Sequence, residues 1–496
     1  MLRPLSIAVA FVIGAWLGRP EVADPLPLEA PAERFAAARA LAAVADLVQE
    51  PRPSGSPAHR AAVDALVERL GAAGLPGRSV AYGELRNVEA GFGRRGGVWL
   101  VAHTDSAPRS PGASDDGLGL AVILEATRVL AADGAPPGLH VLLTDGEEQG
   151  LLGARAFVEG APDADRVILN VEARGSEGPA FMFQTAGAPG PLLAAWRASG
   201  CTAQAGSLAR WVYELLPNDT DFSVFRRAGA SGYDFALIHG AWRYHTADDT
   251  LEGLDPAAVQ QVGDCVVGLA RAWLGPRSEP AGGPLAWQQV GAHMVVVPAW
   301  GVRLAAVSGL VALAVAMRGP RRWMGALGWV GAILGSGALG FALLLGLVAG
   351  WPGFLARPAE MPGPEPVYAA AWGIALLAAL GARALGRRLG READFDGGWT
   401  LAGGAASALL AAAVPEAGLV LLPGVFVAAA GLLGRGRVAW ALQLVGAFAS
   451  GALLGPVLLA LPAALTSRAL PVLAVVPVAL LFWLLPVGVG SREKAA

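Results

Sequence analysis

Cysteine, lysine and tyrosine are scarce in this chain of 496 residues, and charge of either sign is thin. Two cysteines, Cys201 and Cys265, are too few to build a zinc–thiolate cluster. They fit either one disulfide in an exported domain or two buried thiols, and no spacing rule chooses between these. Lys494 is the only lysine, so arginine supplies almost all the positive charge. With a net charge of −3 the basic surface of a nucleic-acid binder is missing, and no nucleic acid is expected as a partner. Charged residues are 16% of the chain against 54% hydrophobic, with a mean hydropathy of +0.49. That balance excludes an ordinary soluble protein and points to membrane spans, most of them after about Val290.

What is present falls into two parts. Leu5 to Leu17 is an apolar run behind Arg3, readable as a signal peptide or a membrane anchor. The absence of a small-x-small cleavage site and the later spans favour an anchor over residues 1–20. Glu21 to Pro31 reads as a linker rich in proline and alanine. The segment RPSGSPAHR, residues 52–60, lies between two helical patterns and reads as a turn-rich loop. Over 21–275, short apolar runs alternate with helical periodicity: strands at Ser79 to Tyr82, Asn87 to Phe92, Val98 to His103, Leu139 to Thr144, Val167 to Val171, Ala180 to Gln184 and Gly232 to Ile238. This alternation predicts an α/β three-layer sandwich around a mixed, mostly parallel sheet, with the active site at the carboxyl ends of the strands.

Residues 276–294 read as a second linker, and 295–496 as an all-α multi-span transmembrane domain. Its spans are expected near Val295–Met317, Trp323–Ala349, Val367–Leu385, Trp399–Val414, Leu419–Leu433, Val438–Leu461 and Pro471–Val489; most approach the roughly twenty residues that cross a bilayer. The lipid bilayer is therefore an expected partner. Arg318, Arg321 and Arg322, then Arg383, Arg387, Arg388 and Arg391, then Arg435 and Arg437, then Arg492 and Lys494 fall on alternate loops. By the positive-inside rule those loops are cytoplasmic, which places 21–275 outside the cytoplasm. Ionisable residues deep in the spans are almost absent, which counts against a transport path.

The chemistry gathers between Val98 and Glu148. His103, Asp105, Asp115, Asp116, Glu147 and Glu148 fall at strand ends and turns, where side chains from separate elements converge into a metal site. Singly, each is more simply a cap or a turn residue; six together are not. Asp105, two residues past His103, can turn back to hold the imidazole or a neighbouring group. Asp115 can bridge two ions with its two oxygens. Asp116 points elsewhere and stabilises the loop or the next helix. Glu147 and Glu148, adjacent on an extended end, face different ways, so one can ligate while the other takes a proton. Glu172 ends a strand, and His245 follows the run Tyr233 to Ile238; His239 competes with it but lacks its aromatic and acidic flanks.

HTD, GASDDGLG, DGEEQGLLGA, NVEARG and YHTADDT, in that order, resemble the successive motifs of the dizinc aminopeptidases of clan MH, which include aminopeptidase Y and bacterial leucyl aminopeptidase. RPSGSPAHR, the N-x-E form of the fourth motif and the multi-span tail are more similar to the membrane branch, vacuolar membrane protease and endoplasmic reticulum metallopeptidase. The resemblance covers roughly Pro51 to Trp273. It implies two zinc ions held by His103 and Glu172 on one side and by Glu148 and His245 on the other, with Asp115 as bridge. It further implies Glu147 as general base, Asp105 as support for the histidine side, Tyr244 as an oxyanion donor, and a peptide with a free N-terminus as substrate. Glu172 departs from the aspartate usual in soluble relatives, which leaves metal preference open. Competing readings are a non-catalytic receptor or scaffold, a transporter-associated module, or an acyltransferase of the glutaminyl cyclase type on the same fold.

Overall fold

The strand and helix patterns resolve into one open sheet covered on both faces, followed by a set of apolar helices. The computed structural model describes residues 2–465 except 94–95, 135, 161–164, 215–217, 277–282, 317–322, 351–364, 389–391 and 434–435, and further on Ala474, Val475 and Ala479. The chain divides into two units, Pro20–Gly283 and Met1–Arg19 together with Pro284–Ala496.

After helix α1 (Leu2–Gly18), the Pro20–Gly283 unit runs α2 (Ala37–Ala42), α3 (Pro57–Ala72), β1 (Gly77–Tyr82), β2 (Leu85–Gly91), β3 (Gly97–His103), α4 (Gly117–Ala132), β4 (Leu139–Thr144), α5 (Leu152–Gly160), β5 (Arg166–Ala173), β6 (Phe181–Ala186), α6 (Pro189–Ser199), β7 (Gln204–Ala205), α7 (Ser207–Tyr213), α8 (Asp221–Arg227), β8 (Ser231–Leu237) and α9 (Pro256–Leu274). The eight strands lie in the order β1-β2-β4-β3-β5-β8-β6-β7. The centre, β4-β3-β5-β8, is parallel; β1, β2 and β6 add antiparallel pairings. Parallel central strands are buried on both faces, which is why β3, β4 and β5 read as unbroken apolar runs rather than alternating ones. Trp99, Val101, Leu142 and Ile168 pack with Phe157 of α5 and with Phe222 and Phe225 of α8. The alternate residues of β3 point to the other face, where α4 and α9 lie.

Local chemistry fixes the helix starts that matter for the site. Ser56 caps α3 by accepting from the His59 amide, with Pro57 as first helical residue. Asp116 caps α4, accepting from Gly119 N at 2.9 Å. The stretch 21–31 is not free: Gln260 and Gln261 of α9 bind it through Leu26 N and Glu21 O.

In the other unit the sequence-read linker and the start of the first span become a hairpin, β9 (Leu285–Val290) with β10 (His293–Pro298). Its two-residue turn opens on Gly291 at φ +54, a conformation that hairpin turns favour in glycine. Three successive valines, Val295 to Val297, prefer strand to helix, so the helix begins only at Ala299. There follow α10 (Ala299–Ala316), α11 (Trp323–Gly350), α12 (Glu365–Arg388), α13 (Glu392–Ala413), α14 (Pro415–Leu433) and α15 (Arg437–Leu465). Among the described residues, three stretches are long and apolar enough to cross a membrane: Ala326–Gly346, Pro415–Leu433 and Arg437–Leu458. Leu5–Gly18, Ala299–Val315 and Ala369–Ala378 are shorter apolar helices. The expected span Pro471–Val489 lies almost wholly outside the described residues, as do Arg318, Arg321, Arg322, Arg391, Arg435, Arg492 and Lys494. Gly14 and Gly18 of α1 meet Phe448 and Ala452 of α15 at backbone contact, where any larger side chain would collide.

Candidate metal centre

Five side chains meet at the carboxyl edge of the sheet in two groups that share one aspartate. His103, Asp115 and Glu172 form the first; Asp115, Glu148 and His245 form the second. His103 ends β3, Glu172 lies near the end of β5, and Glu148 follows β4. Asp115 is on the loop from β3 to α4, and His245 on the loop after β8. Asp115 divides its carboxylate between the groups. Its Oδ1 is 3.0 Å from His103 Nε2, and its Oδ2 is 3.1 Å from His245 Nε2. Glu172 Oε2 lies 3.7 Å from His103 Nε2, and Glu148 Oε1 lies 3.1 Å from His245 Nε2. Donors bound to one tetrahedral zinc ion stand about 3.3–3.6 Å apart, and the separations here, from 3.0 to 3.7 Å, lie on either side of that spacing.

The surroundings prepare the imidazoles. His103 Nδ1–H donates to the Asp105 backbone carbonyl at 3.0 Å, which leaves Nε2 with its lone pair facing Asp115 and Glu172. The Asp105 carboxylate, 3.5 Å from the same Nδ1, accepts the amides of Glu147 at 3.2 Å and Glu148 at 3.3 Å. Asp105 thus steadies both the histidine and the glutamate loop. The Asp116 carboxylate accepts from His103 N at 3.1 Å as well as capping α4, and the Asp115–Asp116 peptide is cis. His245 sits at φ +61, in the left-handed region that non-glycine residues rarely adopt. Such strain at a site residue persists because the surrounding loop holds it.

Electrostatics show what the centre lacks. Burial pushes the Glu147 carboxyl up to about 9, opposed by His103 and reinforced by Asp221, Asp115 and Glu148. Burial likewise drives Glu172 well above the usual carboxylate range. For His245 burial works against the charge, but Asp115 and Glu148 outweigh it and push the imidazole up to about 10. That Asp115 and Glu148 outweigh burial at His245 marks a strongly negative field at the second group. Glu148 Oε1 and His245 Nε2 are both buried, face each other at 3.1 Å and have no hydrogen-bond partner of acceptable direction. The donor set therefore fits two divalent ions.

Tyr244 stacks on His245 with ring centroids 3.7 Å apart. Its phenol is raised well above its ordinary value by burial, then by Asp115, Glu148, Glu147 and Glu172. His239 joins neither group; its backbone carbonyl instead takes the amides of Ser176 and Glu177. Three residues that sequence reasoning passed over belong to the site's frame. Asp249 accepts the Ser114 amide at 2.7 Å and the Asp115 amide at 3.2 Å; it is the second aspartate of YHTADDT, and only that doubled acid hinted at it. Asp221 is buried beside the Thr144 hydroxyl that donates to it, and burial pushes its carboxyl up to about 6. Arg52 lies under the Asp115 loop.

A mostly parallel, double-covered sheet carrying two imidazole–carboxylate groups that share one aspartate has a donor set suited to metal-assisted hydrolysis. Residues 87–270 match the model for Peptidase family M28. Over 208 residues the chain is 33% identical to endoplasmic reticulum metallopeptidase 1 of Rattus norvegicus, covering 40% of this chain and 23% of the relative. Over 168 residues it is 33% identical to vacuolar membrane protease of Coccidioides posadasii strain C735, covering 31% and 16%. The chain thus spans less than a quarter of the length of these relatives. Among solved structures, the aminopeptidase from Aneurinibacillus sp. strain AM-1 aligns at a TM-score of 0.39 and 14% identity, covering 50% of this chain and 98% of that one.

Proposed function

We propose that the protein is a membrane-bound dizinc aminopeptidase, with His103, Asp115 and Glu172 holding one ion and Asp115, Glu148 and His245 the other. The observation that carries this reading is the division of the Asp115 oxygens between two complete donor groups. When bound there, zinc supplies Lewis acidity toward a scissile carbonyl and makes water more acidic. Glu147, left out of both groups and half-buried, takes the proton from the attacking water and passes it to the leaving amine. Asp105 keeps the Glu147 amide in place, and Tyr244 offers a phenol to the developing oxyanion. An ion held by the second donor group would supply a binding point for a free α-amine on the substrate, which favours exopeptidase action.

The names of the similar proteins, together with the apolar helices, support a bilayer location for the chain. The alternating arginine loops and the Cys201–Cys265 disulfide support a peptidase domain outside the cytoplasm. Two complete donor groups disfavour the single-ion glutaminyl cyclase reading. The deciding experiment profiles the purified protein with zinc and with chelator on N-terminally free and blocked peptide libraries. Zinc-dependent release of single residues from free N-termini is expected; cleavage of blocked peptides alone, or pyroglutamate formation, overturns the proposal. In Glu147→Gln we expect zinc content to stay near that of the parent while kcat falls at least about a thousandfold.

A further inference from the structure

The segment RPSGSPAHR takes no part in either donor group, yet it carries a buried guanidinium beneath them. Arg52 is 0% exposed. Its Nε–H donates to Thr104 O at 2.9 Å, its Nη2 to Gly112 O at 3.0 Å and its Nη1 to Pro111 O. The backbone joins in, with Arg52 N donating to Ser106 Oγ at 3.0 Å and Ser106 N to Arg52 O at 3.2 Å. One planar fork thus grips both ends of the loop that leaves His103 and arrives at Asp115. Gly112, at φ +64, lets the chain come this close, since a side chain there would meet Ser106 and the Asp115 carbonyl. On the far side Asp249 takes the amides of Ala113, Ser114 and Asp115.

The same segment reaches the other ligand loop. His59 is 1% exposed, and its Nδ1 accepts from Gly55 N at 3.3 Å, so the proton sits on Nε2. That Nε2–H donates to Thr104 Oγ1 at 2.8 Å, whose hydroxyl donates to Thr144 O at 2.9 Å, the last residue of β4. Arg52 therefore fixes the loop bearing Asp115, and His59 ties it to the strand that leads to Glu147 and Glu148. Arg52 also faces Asp116, Asp105, Asp249 and Asp115, so its permanent charge offsets part of their repulsion in the metal-free protein.

From these contacts we infer that Arg52 is a positioning residue for metal capture, holding Asp115 in its two-sided pose before any ion arrives. The inference rests on reading the centre as a zinc site, and its test separates the two. In full-length Arg52→Lys, which keeps the charge and loses the fork, zinc affinity by chelator competition should fall about 10–100-fold. In the metal-free variant, amide exchange across 104–117 should quicken at least about tenfold while β5 and α9 keep their protection. For peptide hydrolysis kcat should fall with KM little changed. A folded Arg52→Lys with parental zinc affinity and parental exchange over 104–117 overturns the inference. If that variant does not fold, Ser106→Ala, which releases the Arg52 amide and the Ser110 and Ala107 carbonyls, should show the same two effects at about 3–10-fold, and unchanged zinc affinity in it overturns the inference equally. Failure of the parent protein to bind zinc would instead sink the dizinc reading, and the exchange measurement on metal-free protein stands apart from it.

Discussion

Asp115 presents one oxygen to His103 and the other to His245, residues that share no element and lie far apart in sequence. Such a residue is legible as acidic and loop-borne, and the motif order reveals its family role. What the sequence does not show is how its backbone is held. The partners are Arg52, sixty-odd residues upstream, and Asp249, well over a hundred downstream, which no periodicity connects. Another buried carboxylate on the sheet offers a clean pH test. Burial pushes Asp234 up to about 8, opposed by the Thr220 hydroxyl at 2.7 Å and the Asn170 amide at 2.8 Å. The folded protein then holds a proton that the unfolded chain releases near pH 4. Its contribution to stability is full below about pH 4 and is lost as pH rises toward about 8. In Asp234→Asn that pH-dependent loss should vanish, so the difference between unfolding midpoints at pH 5 and pH 8 should shrink; an unchanged difference would argue against a protonated Asp234.

At the scale of elements, long buried strands were readable because unbroken apolar runs between turn residues have few other solutions. β7, two residues long, and α7, which begins at Ser207 with no side-chain cap, carry too little pattern to be seen. The hairpin of β9 and β10 was hidden for another reason: its second strand runs directly into apolar α10, so hydropathy merges the two. Helix α9 shows how side chains invisible to hydropathy organise an element. Gln260 receives the amides of Leu26 and Ala37 and donates to Phe35 O, so residues 21–37 lie along the helix. Gly263 is the close-contact point, where a methyl group would run into the buried Phe35 ring. Gly263→Ala should therefore cost about 1–3 kcal/mol by overpacking, and Phe35→Leu in the same chain should recover part of it. Strict additivity of the two changes in thermal unfolding would show that no such contact exists.

For the whole molecule, the sequence itself is uneven, with most of its acidic residues before about Val290 and its long apolar runs after it. The cysteine question was open in sequence and closes in three dimensions. Cys201, just after α6, and Cys265 on α9 form a disulfide, and Thr202 beside it holds Glu21 O. Protein isolated without reductant should resist alkylation at both positions until it is reduced. Replacing both cysteines with serine should cost about 2–4 kcal/mol in unfolding of the domain. Ready alkylation of the unreduced native protein would count against a location outside the cytoplasm.

The five proposed ligands lie at the ends of β3, β4, β5 and β8 and on the loop after β3, and the last of them, His245, comes only after β8 has paired with β5. No early fragment of the chain holds both donor groups. A chain that has not yet formed β8 and the loop bearing His245 therefore lacks the second donor group. Under the proposed function, peptide hydrolysis would wait for the completed sheet, and folding itself would serve as the activation step.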